Sequence, residues 1–146
     1  MTKFYPDDDA VAHLVLRFSD RSLPKAEWTH AGHFAAALWL LRTRPDLDLA
    51  AAMPDMIRAY NTATGVENSD SSGYHETITL ASIHAAQAVL AAWGDRPLHE
   101  VVDRLMETEL GGSGWLLTYW SKDRLFSVEA RRGWVSPDLQ PLPARF

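Results

Sequence analysis

Apolar positions near the start of the chain fall at helical spacing. Val11, Leu14, Val15 and Phe18 recur every three or four residues, which places them on one face of a helix. Asp7, Asp8 and Asp9 lead into that face and set negative charge beside the free N–H groups of a helix N-terminus. This helix is expected to end near Asp20. Pro24 biases Leu23 away from helical backbone, so residues 21–28 read as a connector. A second stripe, Phe34, Leu38 and Leu41, follows Thr29, a favourable N-cap, and predicts a helix to about Thr43, where Pro45 stops it. A third helix is expected from Leu47 to Thr62, with Pro54 kinking or splitting it. The polar stretch "TGVENSDSSG" reads as a loop.

The longest helical pattern starts near Tyr74 and runs to Trp93. It is rich in good helix formers and has no proline or interior glycine, and Gly94 closes it as a C′ residue. Pro97 opens a fifth helix from Leu98 to about Glu109, with Val101, Leu105 and Met106 facing inward. "GGSG" at 111–114 is a flexible break, and "WLLTYW" reads as a strand or a buried turn. Ser121 and Ser127 cap two short helices, "KDRLF" and "VEARRGW". The last stretch holds three prolines and should be extended over the surface. With no run of alternating strands and no internal repeat, the expected fold is all-α. It is a single-domain helical bundle spanning residues 1–146, with about five main helices, short C-terminal helices and an extended proline-rich tail.

Composition narrows the chemistry. The chain has 146 residues, 47% hydrophobic and 23% charged, the range of one globular domain. There is no cysteine, so disulfides, thiolate metal sites and a cysteine nucleophile are excluded. Any transition-metal site must use imidazole and carboxylate. The net charge of −5 and the lack of a basic cluster argue against a nucleic-acid partner. No apolar run is long enough to span a bilayer, and "MTKFYPDDDAV" lacks the apolar core of a secretory signal. The expectation is a cytoplasmic protein without a membrane partner, bacterial in its Ala, Arg and Asp bias.

Candidate chemistry gathers around histidine. His30 and His33, three apart, share a helix face and can point at one ion. His75 begins another helix and can supply a third imidazole. Three neutral imidazoles leave one open position on a divalent metal (zinc, iron or manganese) and lower the pKa of its bound water to roughly 7. Glu76 is the candidate proton carrier, with Glu27 as an alternative. Glu27, Thr29, Thr77 and Thr79 can orient imidazoles. Tyr74, Tyr119 and Arg124 are candidate pocket walls, Arg124 as an anion binder or paired with Glu129 or Asp123. Two other readings stand beside the metal site: a metal-free polar pocket, and histidines with unrelated structural roles. One pattern favours a shared site. His75, Thr79, Ser82 and Ala86 form one stripe, and His30, His33 and Ala37 form another; face to face, they would gather polar groups at one end of a bundle. Of the remaining histidines, His13 and His84 read as ordinary helix residues and His99 as solvated. Asn61 reads as a cap or turn residue that can also reach a ligand.

The stretches "WTHAGH" (28–33) and "GYHETIT" (73–79) resemble those of a group of small bacterial α-helical proteins. These carry an aromatic–Thr–His–x–x–His motif and a Gly–Tyr–His–x–Thr–Ile–Thr-like motif. The C-terminal block "YWSKDRLFSVEARRGWVSPDLQPL" extends the resemblance over most of the chain. It implies that the second, fourth and C-terminal segments form one functional unit and implies no activity. Taken together, the leading expectation is a metal-dependent enzyme, a hydrolase or lyase, acting on a small molecule. The alternatives are a sensor or carrier that binds a metal or small ligand, and a structural interaction protein, including a homo-oligomer. Exposure of Trp134 would favour the last.

Overall fold

The computed structural model describes residues 3–146. Seven α-helices account for its regular structure, with three short 3-10 turns and no strand among the described residues. They are α1 (Asp8–Ser19), α2 (His30–Thr43), α3 (Leu49–Ala63), α4 (Glu76–Trp93), α5 (Leu98–Glu107), α6 (Lys122–Leu125) and α7 (Val128–Arg132). The caps are those the sequence advertises. Asp7 accepts from the N–H of Ala10, Thr29 from Gly32, Ser121 from Arg124 and Ser127 from Ala130. Each satisfies a backbone donor that the first helical turn leaves unpaired.

Packing centres on α2, which lies against α1, α3, α4 and α5. Its closest partner is α4, and small residues explain the approach. Ala35, Ala36, Ala81, Ala85 and Ala86 are all fully buried, so the two helices meet with little side chain between them. Phe18, Leu38, Val89, Val101, Leu105, Leu125 and Ala130, drawn from α1, α2 and α4 to α7, belong to one hydrophobic core. Polar links close the ends. Asp8 accepts from both the backbone N–H and the Nδ1–H of His99, at 2.9 and 2.6 Å, so α1 caps the start of α5. His99 is therefore paired, and the solvated role expected of it is not observed.

Several local expectations shift. Pro54 neither splits nor ends α3; it is buried within one continuous helix. Gly94 caps α4 in right-handed backbone, φ −70°, without the left-handed turn usual for a C′ glycine. "WLLT" forms a 3-10 turn, Trp115–Thr118, with Trp115 and Leu116 buried. The tail forms neither helix nor strand and is tied to the turn before α6: Leu139 donates to the Tyr119 carbonyl and Gln140 to the Thr118 carbonyl. The helix α4 starts at Glu76 rather than Tyr74, a small shift that decides the role of His75.

Among the described residues no helix is long and apolar enough to cross a membrane.

Candidate functional site

The two histidine motifs come together where the N-terminal turns of α2 and α4 face each other. Two adjoining hollows share His33 and Ile78 as a common wall. The first, of about 330 Å³, is bounded by His30, Phe34 and Ser82 and by Ser113, Trp115 and Leu116 from the segment after α5. The second, of about 340 Å³, is bounded by Trp28, Asn61, Tyr74, His75 and Thr79, among others. Among the described residues no Lys, Arg, Asp or Glu lines either one. Larger hollows exist: about 550 Å³ between α1, α2 and α3, about 540 Å³ beside the last turns of α4, and about 470 Å³ beside α1, where His13, Arg17, Glu27, Thr29 and Ala31 are among the walls. The last takes in Thr29 and Ala31 of the first motif but none of its histidines, and the other two take in no residue of either motif.

Each imidazole is held by a backbone carbonyl. A carbonyl only accepts, so the bonded nitrogen must carry the hydrogen and the tautomer follows. His30 donates from Nε2 to the Leu110 carbonyl at 2.6 Å, leaving Nδ1 as an acceptor. His33 donates from Nδ1 to the Thr29 carbonyl at 2.7 Å, leaving Nε2 as an acceptor. His75 donates from Nε2 to the Leu125 carbonyl at 2.7 Å, and its Nδ1 accepts the Ile78 N–H at 3.2 Å. It is the N-cap of α4, and neither nitrogen has a lone pair left for a metal.

Electrostatics keep two of these rings neutral. Burial pushes the pKa of His75 below the ordinary 6.5; the Leu125 carbonyl opposes this and the charge of Arg131 adds to it. His33 is also lowered, first by desolvation, against the pull of the Thr29 carbonyl, with a smaller contribution from His30. His33 is an exposed residue, so water keeps its desolvation partial, and the firmer neutral state belongs to the enclosed His75. His33 also sits in an aromatic stack. Trp28 lies 4.0 Å from it, centroid to centroid, and 4.1 Å from Phe18 at an interplanar angle of 12°.

The remaining expected site residues divide. Thr79 lines the second hollow and donates to the His75 carbonyl at 2.9 Å. Tyr74 also lines it, but its hydroxyl donates to the Glu76 carboxylate, and the Arg58 guanidinium covers its ring. Burial and that carboxylate raise the Tyr74 pKa. Glu76 lines neither hollow, being turned to Tyr74. Glu27 pairs with Arg17 at 2.9 Å outside the groove. Thr29 serves as the cap of α2, and its carbonyl orients His33. Thr77 is fully buried and binds the C-terminal segment through Gly133 and Val135. Tyr119 donates to Glu109, and its pKa is pushed up to about 12 by burial and that carboxylate. Arg124 donates to the Ser136 carbonyl at 2.6 Å and holds the tail rather than an anion. Neither Tyr119 nor Arg124 reaches the groove.

The three-imidazole ligand set is therefore not assembled in this arrangement. Among the described residues no group of three or more His, Asp or Glu side chains is placed to hold a metal ion. The residues do not fit a three-histidine centre because α4 takes His75 as its cap. Sequence reading missed Ile78, Ser113 and Trp115 as walls, and it missed how the loop before α4 is held. Asn68 accepts from Asn61 and from the Tyr74 N–H, and donates to the Arg58 carbonyl. Arg131 donates to the Gly73 and Tyr74 carbonyls. Arg131 acts across a tertiary contact, and Asn68 closes its own loop through irregular backbone that no periodic pattern announces.

Comparison of the chain with protein-family models, curated proteins and solved structures finds no match.

Proposed function

We propose that this protein is a small-molecule binding module whose ligand sits in the two-lobed groove between α2 and α4. One observation carries the reading. Both histidine motifs, distant in sequence, line the same uncharged groove, and His33 is the wall shared by its two lobes. Aromatic walls with a few oriented polar groups are the usual make-up of a ligand site. The neutral His33, aimed by a backbone carbonyl, supplies an acceptor there without an ion. A zinc, iron or manganese enzyme using Glu76 as proton carrier has weaker support. His75 would have to abandon its cap, and Glu76 would have to leave Tyr74 and turn into the groove.

The test is a small-molecule library screened against isotopically labelled protein by nuclear magnetic resonance. Ligands should move the amide signals of His33, Ile78 and Ser82 together. Ile78→Trp fills the wall common to both lobes and should abolish those shifts while leaving the melting temperature close to that of the parent. Ligands that act elsewhere on the surface, or that bind a folded Ile78→Trp protein unchanged, would overturn the proposal.

A further inference from the structure

Hydrogen bonds made inside the protein leave open groups of both kinds in the second lobe. On the acceptor side is Nε2 of His33, whose Nδ1–H is committed to the Thr29 carbonyl. On the donor side is Trp28. Phe18 and His33 cover the faces of its indole at 4.1 and 4.0 Å, so the ring meets the lobe with an edge. Its Nε1–H has no partner and is not walled in; among the described residues the one buried side-chain polar atom left without a hydrogen bond is Nε of Arg17. Trp120 shows the alternative: fully buried, it gives its N–H to the Val135 carbonyl at 3.0 Å. Asn61 joins the open groups. Its Nδ2 gives one hydrogen to Oδ1 of Asn68, an orientation fixed by the Tyr74 N–H, which needs that same oxygen. One amide hydrogen and Oδ1 of Asn61 remain. Trp115 repeats the donor in the first lobe: the residue is 4% exposed, yet its N–H has no partner.

We infer, resting on the groove reading above, that the ligand carries a carboxamide group and that this group seats in the second lobe on Trp28, His33 and Asn61. A ligand displaces the water that these groups hold, and each one left without a partner is costly. An acceptor-only ligand abandons His33, and a donor-only ligand abandons Trp28. A carboxamide serves both, because its carbonyl oxygen has two lone pairs and the neighbouring nitrogen carries hydrogens. The spacing suits it. The Trp28 and His33 rings lie 4.0 Å apart, and hydrogen bonds of about 2.9 Å from either end let so small a group reach both. A hydroxyl would have to meet every partner from one atom. With no charged side chain on the walls among the described residues, recognition rests on these neutral groups. Ile57, Val66 and Ile78 bound the rest of the lobe and favour a compact apolar body behind the amide.

Three probes of one shape test the pairing: cyclopentanecarboxamide, cyclopentyl methyl ketone, which puts a methyl in place of the amide nitrogen, and cyclopentanecarboxylate. Each is titrated to about 20 mM, above the millimolar dissociation constants expected of molecules this small. The signals followed are the Ile78 and Thr79 amides and the indole N–H of Trp28. The indole N–H of Trp120, bonded within the protein, is the control. The carboxamide should move the Trp28 signal and bind roughly three- to tenfold more tightly than the ketone. His33→Phe removes the acceptor and keeps a ring on Trp28; there the carboxamide should fall to the level of the ketone, with the ketone unchanged. Trp28→Phe removes the donor and should weaken both. Equal binding of carboxamide and ketone overturns the inference and leaves the groove reading intact. So does tighter binding of the carboxylate, the probe that free N–H groups at the starts of α2 and α4 would favour. If the carboxamide moves no groove signal the inference falls as well, and the library screen with Ile78→Trp decides the groove reading separately. The wild-type series is decisive even where a variant does not fold.

Discussion

Replacing His75 separates a structural histidine from a metal ligand. The residue is 7% exposed, and its ring makes two hydrogen bonds, one that caps α4 and one that ties α4 to the end of α6. In His75→Ala the cap is lost, about 1 kcal/mol. The Leu125 carbonyl loses its donor, about 1–3 kcal/mol for a buried acceptor. The sum is about 2–4 kcal/mol, with the missing ring contacts favouring the upper end. For a chain of this length that corresponds to a fall in melting temperature of roughly 4–16 °C. His75→Asn restores the cap acceptor but cannot reach Leu125, so it should recover about 1 kcal/mol. The assay is thermal and urea unfolding of chelator-treated protein, repeated with added zinc. The structural role requires the full loss without any metal, and no zinc-dependent gain in the parent. The reasoning fails if His75→Ala is as stable as the parent after chelation and differs only when zinc is present.

Two other outcomes follow from the same geometry. His75 and His33 have folded pKa values below the ordinary 6.5, so below that pH the unfolded chain takes up more protons. Stability should be complete above about pH 6.5 and decline as pH falls towards the depressed folded values; urea midpoints from pH 7.5 to 5 measure the slope, and His75→Ala should flatten it. Gly73 sits at φ +77°, and a Cβ there would lie 2.5 Å from the Glu67 carbonyl oxygen. Gly73→Ala should cost about 1–3 kcal/mol and loosen Tyr74 and His75, read as faster amide exchange at the start of α4; unchanged exchange would show that the loop does not hold the groove.

Much of this protein was legible in one dimension. Apolar spacing and cap residues located the main helices, since both act within a few residues and local sequence determines them. Thr29, Ser121 and Ser127 cap the helices they announce, and the stripes on α2 and α4 do face each other, because alanines on both let the helices approach. The roles of the polar side chains were decided only in three dimensions. His75 looked like a ligand because its residue type can be one, yet the first turn of α4 and a carbonyl fifty residues away take both of its nitrogens. Arg124 read as an anion binder or as a partner of Glu129 or Asp123, and the tail brought it the Ser136 carbonyl instead. Glu76 looked free until Tyr74 reached it. A sequence records which hydrogen-bonding groups a chain owns, whereas the partner that satisfies each one is fixed by long-range packing. Which lone pairs remain open to a ligand is therefore a property of the fold.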